Sequence, residues 1–222
     1  MNLKNILWDF DGVILESVQA KTEAFRELYK CYGEEISNQV VEHHLSNGGM
    51  SRFEKFKIYS KEFLNKEITD KEIKDLSKTF SALALNNVIN SKFTKGAREF
   101  ISSSQDEYNH FIISATPHEE MHQIAEAKEI DKFFKAIMGS PKSKIEWLTD
   151  LIKHKIIKRE NSLFIGDASA DLNAAENTKI KFLLRKHDLN RNEFSSYEYN
   201  SVENFIDFNP IDHFSFKKYL HA

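Results

Sequence analysis

Residues 6–13 read Ile-Leu-Trp-Asp-Phe-Asp-Gly-Val, a short apolar run that ends in two carboxylates and a glycine. Such a run is typical of a buried β-strand, and Gly12 lets the chain turn sharply after it. Side chains two positions apart on a strand face the same way, so Asp9 and Asp11 can reach one point beyond the strand. Two carboxylates about 4 Å apart repel by roughly 4 kcal/mol at an effective dielectric of about 20, unless a cation or shared proton joins them. The alternative is a pair of surface acids.

Three later apolar runs have the same character, and two of them end at further candidate site residues. They are Phe111–Ile113 before Ser114, Leu163–Ile165 before Gly166-Asp167, and Ile180–Leu184. Helical patterns occupy Pro117–Lys128 and Ser143–Ile156. Strands alternating with helices predict an α/β fold, in which a parallel sheet is covered by helices on both faces. Because such sheets bind ligands at the carboxyl ends of their strands, we expect the polar residues there to form a site.

The chain between the first two predicted strands has a different composition. It is charged, almost free of glycine and proline, and patterned for helices. The segment Met50–Leu64 repeats phenylalanines on one face, and a second amphipathic run follows at Asp70–Val88 with Thr69 as its N-cap. This segment is therefore predicted to be a helical insertion rather than part of the sheet. The aromatic tail after Asn200 is expected to pack along a sheet edge.

A second acidic sequence, Gly166-Asp167-Ala168-Ser169-Ala170-Asp171, follows one of the predicted strands. It again places carboxylates at a strand end, with Asp171 about one helical turn beyond Asp167. Such hard oxygen ligands suit Mg²⁺, which binds through a few carboxylates and keeps several waters. The alternative is a capped helix start, where aspartate is favoured. A metal site shared with Asp9 and Asp11 accounts for the four acids better than capping does.

The segment Ser114-Ala115-Thr116-Pro117 offers a hydroxyl at a third strand end and a proline at the first position of a helix. The backbone N–H groups of such a helix start suit a phosphate. The alternative, that Thr116 merely caps the helix, is favoured when this segment is considered by itself. A lysine at the start of the next helix can hold an anionic substrate near the acids. Lys144 is the candidate and Lys142 its competitor, although a lysine there is ordinarily solvated.

The order of these motifs resembles that of the haloacid dehalogenase superfamily across the whole core. Asp9-Phe10-Asp11-Gly12 is similar to the first motif of the family, Ser114 to the second, Lys144 to the third, and Asp167 with Asp171 to the fourth. The resemblance implies a Rossmann-like catalytic core of residues 1–15 and 94–222, and an inserted α-helical cap domain of residues 16–93. The insertion is similar to the small helical cap of phosphoglycolate phosphatases and β-phosphoglucomutases.

The resemblance implies hydrolysis of phosphate esters. Asp9 attacks phosphorus and forms an aspartyl-phosphate, and Asp11 protonates the leaving oxygen and then deprotonates the attacking water. Haloacid dehalogenases and phosphonatases lack an acid at the position of Asp11, so its presence favours phosphate esters over C–Cl or C–P bonds. The implied enzyme is a phosphoric monoester hydrolase acting on a small phosphorylated metabolite, such as a sugar phosphate or a phosphoglycolate-like compound.

The resemblance also implies a cofactor, Mg²⁺, and a phosphate site. The implied metal residues are Asp9, Asp11 through its carbonyl, Asp167 and Asp171. Ser114 and the Ala115 N–H are implied to grip the phosphoryl oxygens, while Lys144 balances the charge of Asp9 and the phosphoryl group.

Substrate choice is expected to come from the cap, at the turn Asn47-Gly48-Gly49 and the helix after it. Arg52 and Lys55 on this helix are predicted to lie away from its apolar face. One of them is expected to contact a second polar group of the substrate, such as a sugar hydroxyl or a carboxylate, and the alternative is a solvated helix face. His43 and His44 are adjacent in a helix and face different directions, so a metal site built from both is not expected.

Composition limits the binding partners and the cellular compartment that we expect. The 222 residues carry a net charge of −3 and one cysteine, Cys31. This charge gives no reason to expect nucleic acid or an anionic membrane as a partner. No stretch approaches the roughly 18 apolar residues of a membrane span, and no signal-peptide pattern opens the chain. We expect a cytoplasmic protein, monomeric or weakly dimeric.

Three other functions share parts of this pattern. A sugar phosphomutase similar to β-phosphoglucomutase has the same core, cap type and acid at position 11. A phospho-signalling receiver module has a similar set of side chains, but its phosphorylated aspartate lies on a later strand and no long helical insertion follows the first strand. A catalytically silent binding or regulatory protein would leave competent residues unused at every motif.

Overall fold

A computed structural model describes residues 2–196 and 200–214 of the chain. Within these ranges the chain forms a six-stranded parallel sheet in the order β3-β2-β1-β4-β5-β6. The strands are β1 (Asn5–Trp8), β2 (Asn109–Pro117), β3 (Phe134–Ser140), β4 (Ser162–Gly166), β5 (Lys181–Arg185) and β6 (Ser201–Val202). This sheet and its flanking helices confirm the predicted α/β, Rossmann-like fold.

Strand β1 lies in the middle of the sheet, where its four residues are all buried. Leu7 is in register with Phe111 on β2 and with Phe164 on β4. Ile6 and Trp8 pack into one hydrophobic core and Leu7 into the other, as the two-residue period of a strand requires. The carboxyl ends of β1, β2 and β4 are therefore neighbours, and the residues that follow them share one edge of the sheet.

The helices either cover the sheet or form the insertion. They are α1 (Val18–Tyr29), α2 (Glu34–Ser46), α3 (Arg52–Ile58), α4 (Asp70–Asn90), α5 (Ala97–Ser103), α6 (His118–Ala127), α7 (Lys144–Lys153), α8 (Ser169–Thr178) and α9 (Pro210–Phe214). Helices α1 to α4 lie between β1 and β2, and residues 18–90, all of which the structure describes, contain no strand. This is the predicted helical cap region.

The cap region is held together by aromatic side chains. The ring of Phe25 on α1 stands 4.4 Å from that of Phe80 on α4, measured between centroids, and 5.8 Å from that of Tyr59. Thr69 forms the predicted N-cap of α4, in a capping box with Glu72. The predicted helix at 50–64 is shorter, because α3 ends at Ile58 and a π-helical turn, Tyr59–Phe63, follows it.

The prediction that Arg52 and Lys55 lie away from the packed face of their helix is wrong. They are 5% and 2% exposed, so the alternative of a solvated helix face is wrong as well. Arg52 meets Glu120 on α6, and Lys55 meets His44 on α2. Because the helical pattern of a sequence records only polarity, it does not show that a polar side chain has a buried partner.

Strands β3 and β6 are absent from the sequence prediction. Strand β6 pairs with β5 at the edge of the sheet, so this part of the tail lies where the tail was expected. Residues 215–222 of the tail lie outside the described residues. A search of the described helices finds none with the length and hydropathy needed to cross a membrane.

Candidate active site

Three buried carboxylates meet at the shared edge of the sheet. Asp9 follows β1, Asp167 follows β4, and Asp171 lies in the first turn of α8. Each offers one oxygen, and these three oxygens lie within 4.8 Å of one another. Asp171 also accepts hydrogen bonds from the backbone N–H groups of Asp167 (3.3 Å) and Ala168 (3.1 Å), so it stabilises the start of the helix as well. Acids from two distant parts of the sequence are thus brought together.

Lys144 is the cation of this cluster. Its Nζ lies 2.7 Å from Asp9 Oδ1 and 2.5 Å from Asp171 Oδ1. The side chain is placed by the first turn of α7, which begins with a capping box at Ser143. Lys142, the competitor, pairs instead with Asp150. The sequence left open which lysine meets the acids, and the geometry brings Lys144 to them.

The cluster contains three carboxyl groups and one ammonium. Burial raises the pKa of Asp9 to about 7, although Lys144 opposes the shift. Burial and then the neighbouring Asp9 raise the pKa of Asp167 well above its ordinary value. Burial alone would lower the pKa of Lys144, but Asp171 and Asp9 outweigh it and raise that pKa. Three carboxylates facing one ammonium favour a further cation.

The residues present fit a divalent metal ion. Asp9, Asp167 and Asp171 supply carboxylate oxygens, the hard ligands that Mg²⁺ prefers. His187 Nε2 lies 2.8 Å from Asp167 Oδ2. Burial, and then Arg185, lower the pKa of His187 to about 4, so at neutral pH the ring is uncharged and does not replace the missing positive charge. The sequence does not predict His187 as a site residue, because it lies in a loop after β5 with no motif around it.

Gly12 is required by this arrangement. Its φ of +81° is in the region that favours glycine, and a Cβ there would lie 2.1 Å from Asp167 Oδ2. The turn after β1 and the acid after β4 are therefore in direct contact.

Asp11 is held by a separate set of partners. Its carboxylate accepts hydrogen bonds from Ser17 Oγ (2.6 Å) and Thr116 Oγ1 (3.0 Å), and it forms an ion pair with Lys21. Burial raises the pKa of Asp11, but Lys21 and these hydrogen bonds outweigh it and leave the pKa below its ordinary value. Lys21 was missed in the sequence, where a lone lysine in the first turn of α1 resembles a surface residue.

The segment after Ile113 carries two hydroxyl side chains, Ser114 and Thr116. Ser114 is 2% exposed, and its Oγ accepts a hydrogen bond from the Thr116 N–H (3.1 Å). The alternative that Thr116 caps α6 is wrong, because α6 begins at His118 and no side chain caps it. Pro117 is accordingly one position before the helix, not its first residue. Thr116 instead joins Asp11 and Lys21, whose Nζ donates to its hydroxyl at 2.7 Å.

The cap closes over these residues and leaves a cavity between cap and core. It is lined from the core by Asp9, Asp11, Ala115 and Asp167, and from the cap by Phe25, Gly49 and Lys55 among others. The cap turn fits tightly here, since a Cβ on Gly49 would lie 2.9 Å from that of Ala170 and 3.5 Å from Lys144 Nζ.

Arg52 and Lys55 both line the cavity but differ in their partners. The Arg52 guanidinium makes two hydrogen bonds to the Glu120 carboxylate, at 2.9 and 2.7 Å, and a third to Ser81 Oγ at 2.7 Å. Lys55 Nζ lies 2.8 Å from His44 Nδ1. His43 faces Tyr59, so the two histidines point to different partners.

Sequence comparison assigns the family. A model of the haloacid dehalogenase-like hydrolases matches residues 6–185, which include the motif residues described above. The chain belongs to this family of hydrolases, as its motifs predict. A comparison with curated proteins gives no significant match.

Solved structures share the fold at low sequence identity. A β-phosphoglucomutase from Clostridium difficile is similar with a TM-score of 0.77 and 18% identity, over 96% of this chain and 97% of that one. A predicted phosphoglycolate phosphatase from Haemophilus somnus 129PT is similar with a TM-score of 0.73 and 19% identity, over 96% and 99%. A haloacid dehalogenase-like family protein from Streptococcus pneumoniae has a TM-score of 0.66 and 16% identity, over 90% and 94%. At these identities the similarity concerns the fold.

Proposed function

We propose that the protein is a Mg²⁺-dependent phosphatase that hydrolyses a small phosphorylated metabolite through an aspartyl-phosphate on Asp9. The observation that carries the proposal is the buried cluster of Asp9, Asp167 and Asp171 around Lys144, of which Asp9 and Asp167 line the cavity between cap and core. A carboxylate nucleophile needs its charge balanced before an anionic phosphate can approach it. Lys144 supplies part of that balance, and a bound Mg²⁺ would supply the rest by neutralising charge on the phosphoryl oxygens.

In the proposed reaction an Asp9 oxygen attacks phosphorus and the ester P–O bond breaks. Asp11 gives a proton to the leaving oxygen and later removes one from the water that hydrolyses the intermediate, which releases phosphate and regenerates Asp9. Lys21 stabilises the carboxylate form of Asp11, the form that the water step needs. Donation to the leaving oxygen therefore requires Asp11 to loosen its contact with Lys21 and take up a proton.

The proposal assigns the remaining roles to residues near the acids. Asp9, Asp167 and Asp171 would hold the metal by their carboxylates, and Asp11 by its carbonyl. Ser114, the Ala115 N–H and Lys144 would bind the phosphoryl oxygens. We also propose that residues 16–93 act as a cap domain on a core of residues 1–15 and 94–222, because the helical segment carries the lining opposite the acids. The proposed compartment is the cytoplasm, and the proposed state is a monomer or weak homodimer.

A sugar phosphomutase is the second candidate, and the observation that favours it is the TM-score of 0.77 to a β-phosphoglucomutase. A mutase must return the phosphoryl group to a rotated intermediate, whereas a phosphatase passes it to water. Phosphorus NMR of the protein with sugar monophosphates separates them. Release of inorganic phosphate without a new isomer excludes the mutase.

The proposal is tested by phosphate release from p-nitrophenyl phosphate and a panel of phosphometabolites, with Mg²⁺ and with a chelator. We expect release only with Mg²⁺, and a loss of at least about 10³-fold in Asp9→Asn, because the amide cannot act as the nucleophile. Asp106→Asn, an exposed acid changed in the same way, is the control. Thermal unfolding with and without Mg²⁺ reports metal binding independently of turnover. Turnover of Asp9→Asn at the wild-type rate, or none by any form, contradicts the proposal.

A further inference from the structure

Lys55 differs from the other buried cations of the described chain in having no carboxylate at ion-pair distance. Lysine and arginine side chains are buried at Arg52, Lys55, Lys144 and Arg185. Arg52 pairs with Glu120, Lys144 with Asp9 and Asp171, and Arg185 with Glu16. A buried ammonium without a counter-ion is costly unless an anion completes its surroundings. The absence of a nearby carboxylate therefore distinguishes Lys55 on α3 from the other buried cations.

The partners that Lys55 does have are neutral. Its Nζ donates to His44 Nδ1 at 2.8 Å and to the His44 carbonyl at 3.3 Å, and it stands 5.6 Å from the centroid of the Phe25 ring. Burial, and then Lys55 itself, lower the pKa of His44, so the imidazole accepts at Nδ1 as a neutral ring. Its other nitrogen, Nε2, then carries the hydrogen and is buried without a hydrogen-bond partner among the described residues. Hydrogen-bond donors thus exceed acceptors around Lys55.

Lys55 also lies on the cavity that contains the proposed nucleophile. Lys55, Phe25 and Phe80 line this cavity from the cap, and Asp9 lines it from the core. A ligand whose phosphoryl group reaches Asp9 would therefore share the cavity with these cap residues. Burial, and then Lys21, lower the pKa of Lys55 to about 7, and the opposing effect of Asp11 does not compensate for them.

We propose that the substrate carries a second acidic group, a carboxylate or a second phosphate, which pairs with the Lys55 ammonium. This proposal rests on the proposed phosphatase function and specifies its substrate class. Two other cap cations line the cavity, but the Arg52 guanidinium is occupied by Glu120 and Ser81, and Lys21 pairs with Asp11. The second acidic group therefore pairs with Lys55.

The test is calorimetric binding with Mg²⁺ in an Asp9→Asn background, where ligands are not consumed. Two matched pairs are compared: 3-phosphoglycerate with glycerol 3-phosphate, and fructose 1,6-bisphosphate with fructose 6-phosphate. The two members of the first pair differ by a carboxylate, and those of the second pair differ by a phosphate. The comparison therefore shows which of the two acidic groups the site prefers. We expect the acidic member of at least one pair to bind about tenfold or more tightly, as a charged hydrogen bond predicts.

Variants of α3 assign this preference to Lys55. Lys55→Met is expected to abolish it, Lys55→Arg to retain part of it, and Lys57→Met, an exposed lysine two positions along the same helix, to leave it unchanged. Thermal unfolding verifies that each variant is folded. If Lys55→Met does not fold, the comparison of ligand pairs in the background protein decides.

The outcomes separate this inference from the phosphatase proposal. Equal affinity within both pairs, or a preference that survives in folded Lys55→Met, overturns the inference while wild-type phosphate release still supports the enzyme. A preference that depends on Lys55, in a protein that releases no phosphate from any ester, supports the acidic-group site and overturns the phosphatase.

Discussion

Asp11 lies two residues from Asp9, yet its side chain has entirely different neighbours. Asp9 contacts Lys144, whereas Asp11 contacts Ser17, Lys21 and Thr116. Two acids of one short motif can therefore have separate chemical tasks, since environment decides which proton state each one favours. The proposed nucleophile, Asp9, lies in the cluster of buried acids, and the proposed acid–base group, Asp11, contacts the cap helix α1.

Replacing Asp11 separates the two steps of the proposed reaction. With p-nitrophenyl phosphate, Asp11→Asn is expected to release one nitrophenolate per enzyme in a burst, because this leaving group departs without a proton. Steady turnover is expected to fall by about 10²–10⁴-fold, since the amide cannot take a proton from water. Stopped-flow absorbance measures the burst, and the mass of the acid-quenched protein detects the retained phosphoryl group. Steady turnover without a burst, at the rate of the control Asp106→Asn, contradicts this role.

The sequence predicts the site residues that belong to local motifs. Asp9, Asp167 and Asp171 each follow or flank a strand end, and strand ends of a parallel sheet converge. The sequence does not predict Lys21 or His187, because each joins the site through packing between distant elements. The same holds for the partner of Arg52, which no local pattern encodes.

At the scale of elements, the Arg52–Glu120 contact joins the cap helix α3 to the core helix α6. The side chains of both are nearly inaccessible to solvent, at 4% and 8% exposed, and Ser81 on α4 donates a further hydrogen bond to the same carboxylate at 2.6 Å. Burial alone would raise the pKa of Glu120, but Arg52 and these hydrogen bonds lower it below its ordinary value. The contact thus fixes three helices relative to one another.

Neutralising this carboxylate leaves a buried guanidinium without a counter-ion. Glu120→Gln is expected to lower the free energy of unfolding by about 3–5 kcal/mol. Glu119→Gln changes the adjacent exposed side chain in the same way and is expected to alter stability by less than about 0.5 kcal/mol. Urea unfolding followed by circular dichroism measures both. A loss under about 1 kcal/mol in Glu120→Gln shows that the contact contributes little to stability.

The sequence predicts four of the six described strands, and the two it misses lie at the edges of the sheet. Strand β3 reads Phe-Lys-Ala-Ile-Met-Gly-Ser, so its apolar run is broken by a lysine and a glycine. Because an edge strand has one partner and one solvated side, it needs no continuous apolar run. The central strands are buried on both faces, which is why their apolar runs are unbroken and recognisable.

At the scale of the whole molecule, His110 links the stability of the core to pH. It is fully buried on β2, where Nδ1 accepts from Trp8 Nε1 (3.1 Å) and Nε2 lies 3.1 Å from Ser104 Oγ. Burial lowers the pKa of His110 to about 4, against the opposing hydrogen bond with Ser104. The folded protein therefore holds this ring neutral in a range where the unfolded chain binds a proton.

The contribution of His110 to stability is expected to fall as pH decreases from 6.5 to about 4, whereas Asp9, whose folded-state pKa is raised, contributes in the opposite direction. A folded-state pKa below the unfolded value of 6.5 means that the unfolded chain takes up the proton first, so His110 contributes a loss of about 3 kcal/mol across that window and none above it. His187, whose pKa burial also lowers to about 4, adds to the slope. Urea unfolding at several pH values measures it. His110→Gln is expected to remove this contribution, so that its unfolding free energy, relative to that of the wild type, rises between pH 6.5 and 4, whereas His154→Gln, an exposed control, follows the pH dependence of the wild type. A pH dependence in His110→Gln equal to that of the wild type contradicts the assignment.

The register of β1 has a consequence for how the chain is made. Asn5 pairs with Asn109 on one side and with Ser162 on the other. The first strand therefore cannot pair until residues that are translated much later are available. At about 5–20 residues per second, several seconds pass between them on the ribosome. During that interval the apolar segment around Trp8 has neither neighbour, whereas the helices of residues 18–90 can already form contacts among themselves. In the nascent chain the helical insertion is thus expected to fold before the central sheet. Strand β1 is expected to need protection from aggregation until residue 166 has emerged from the ribosome.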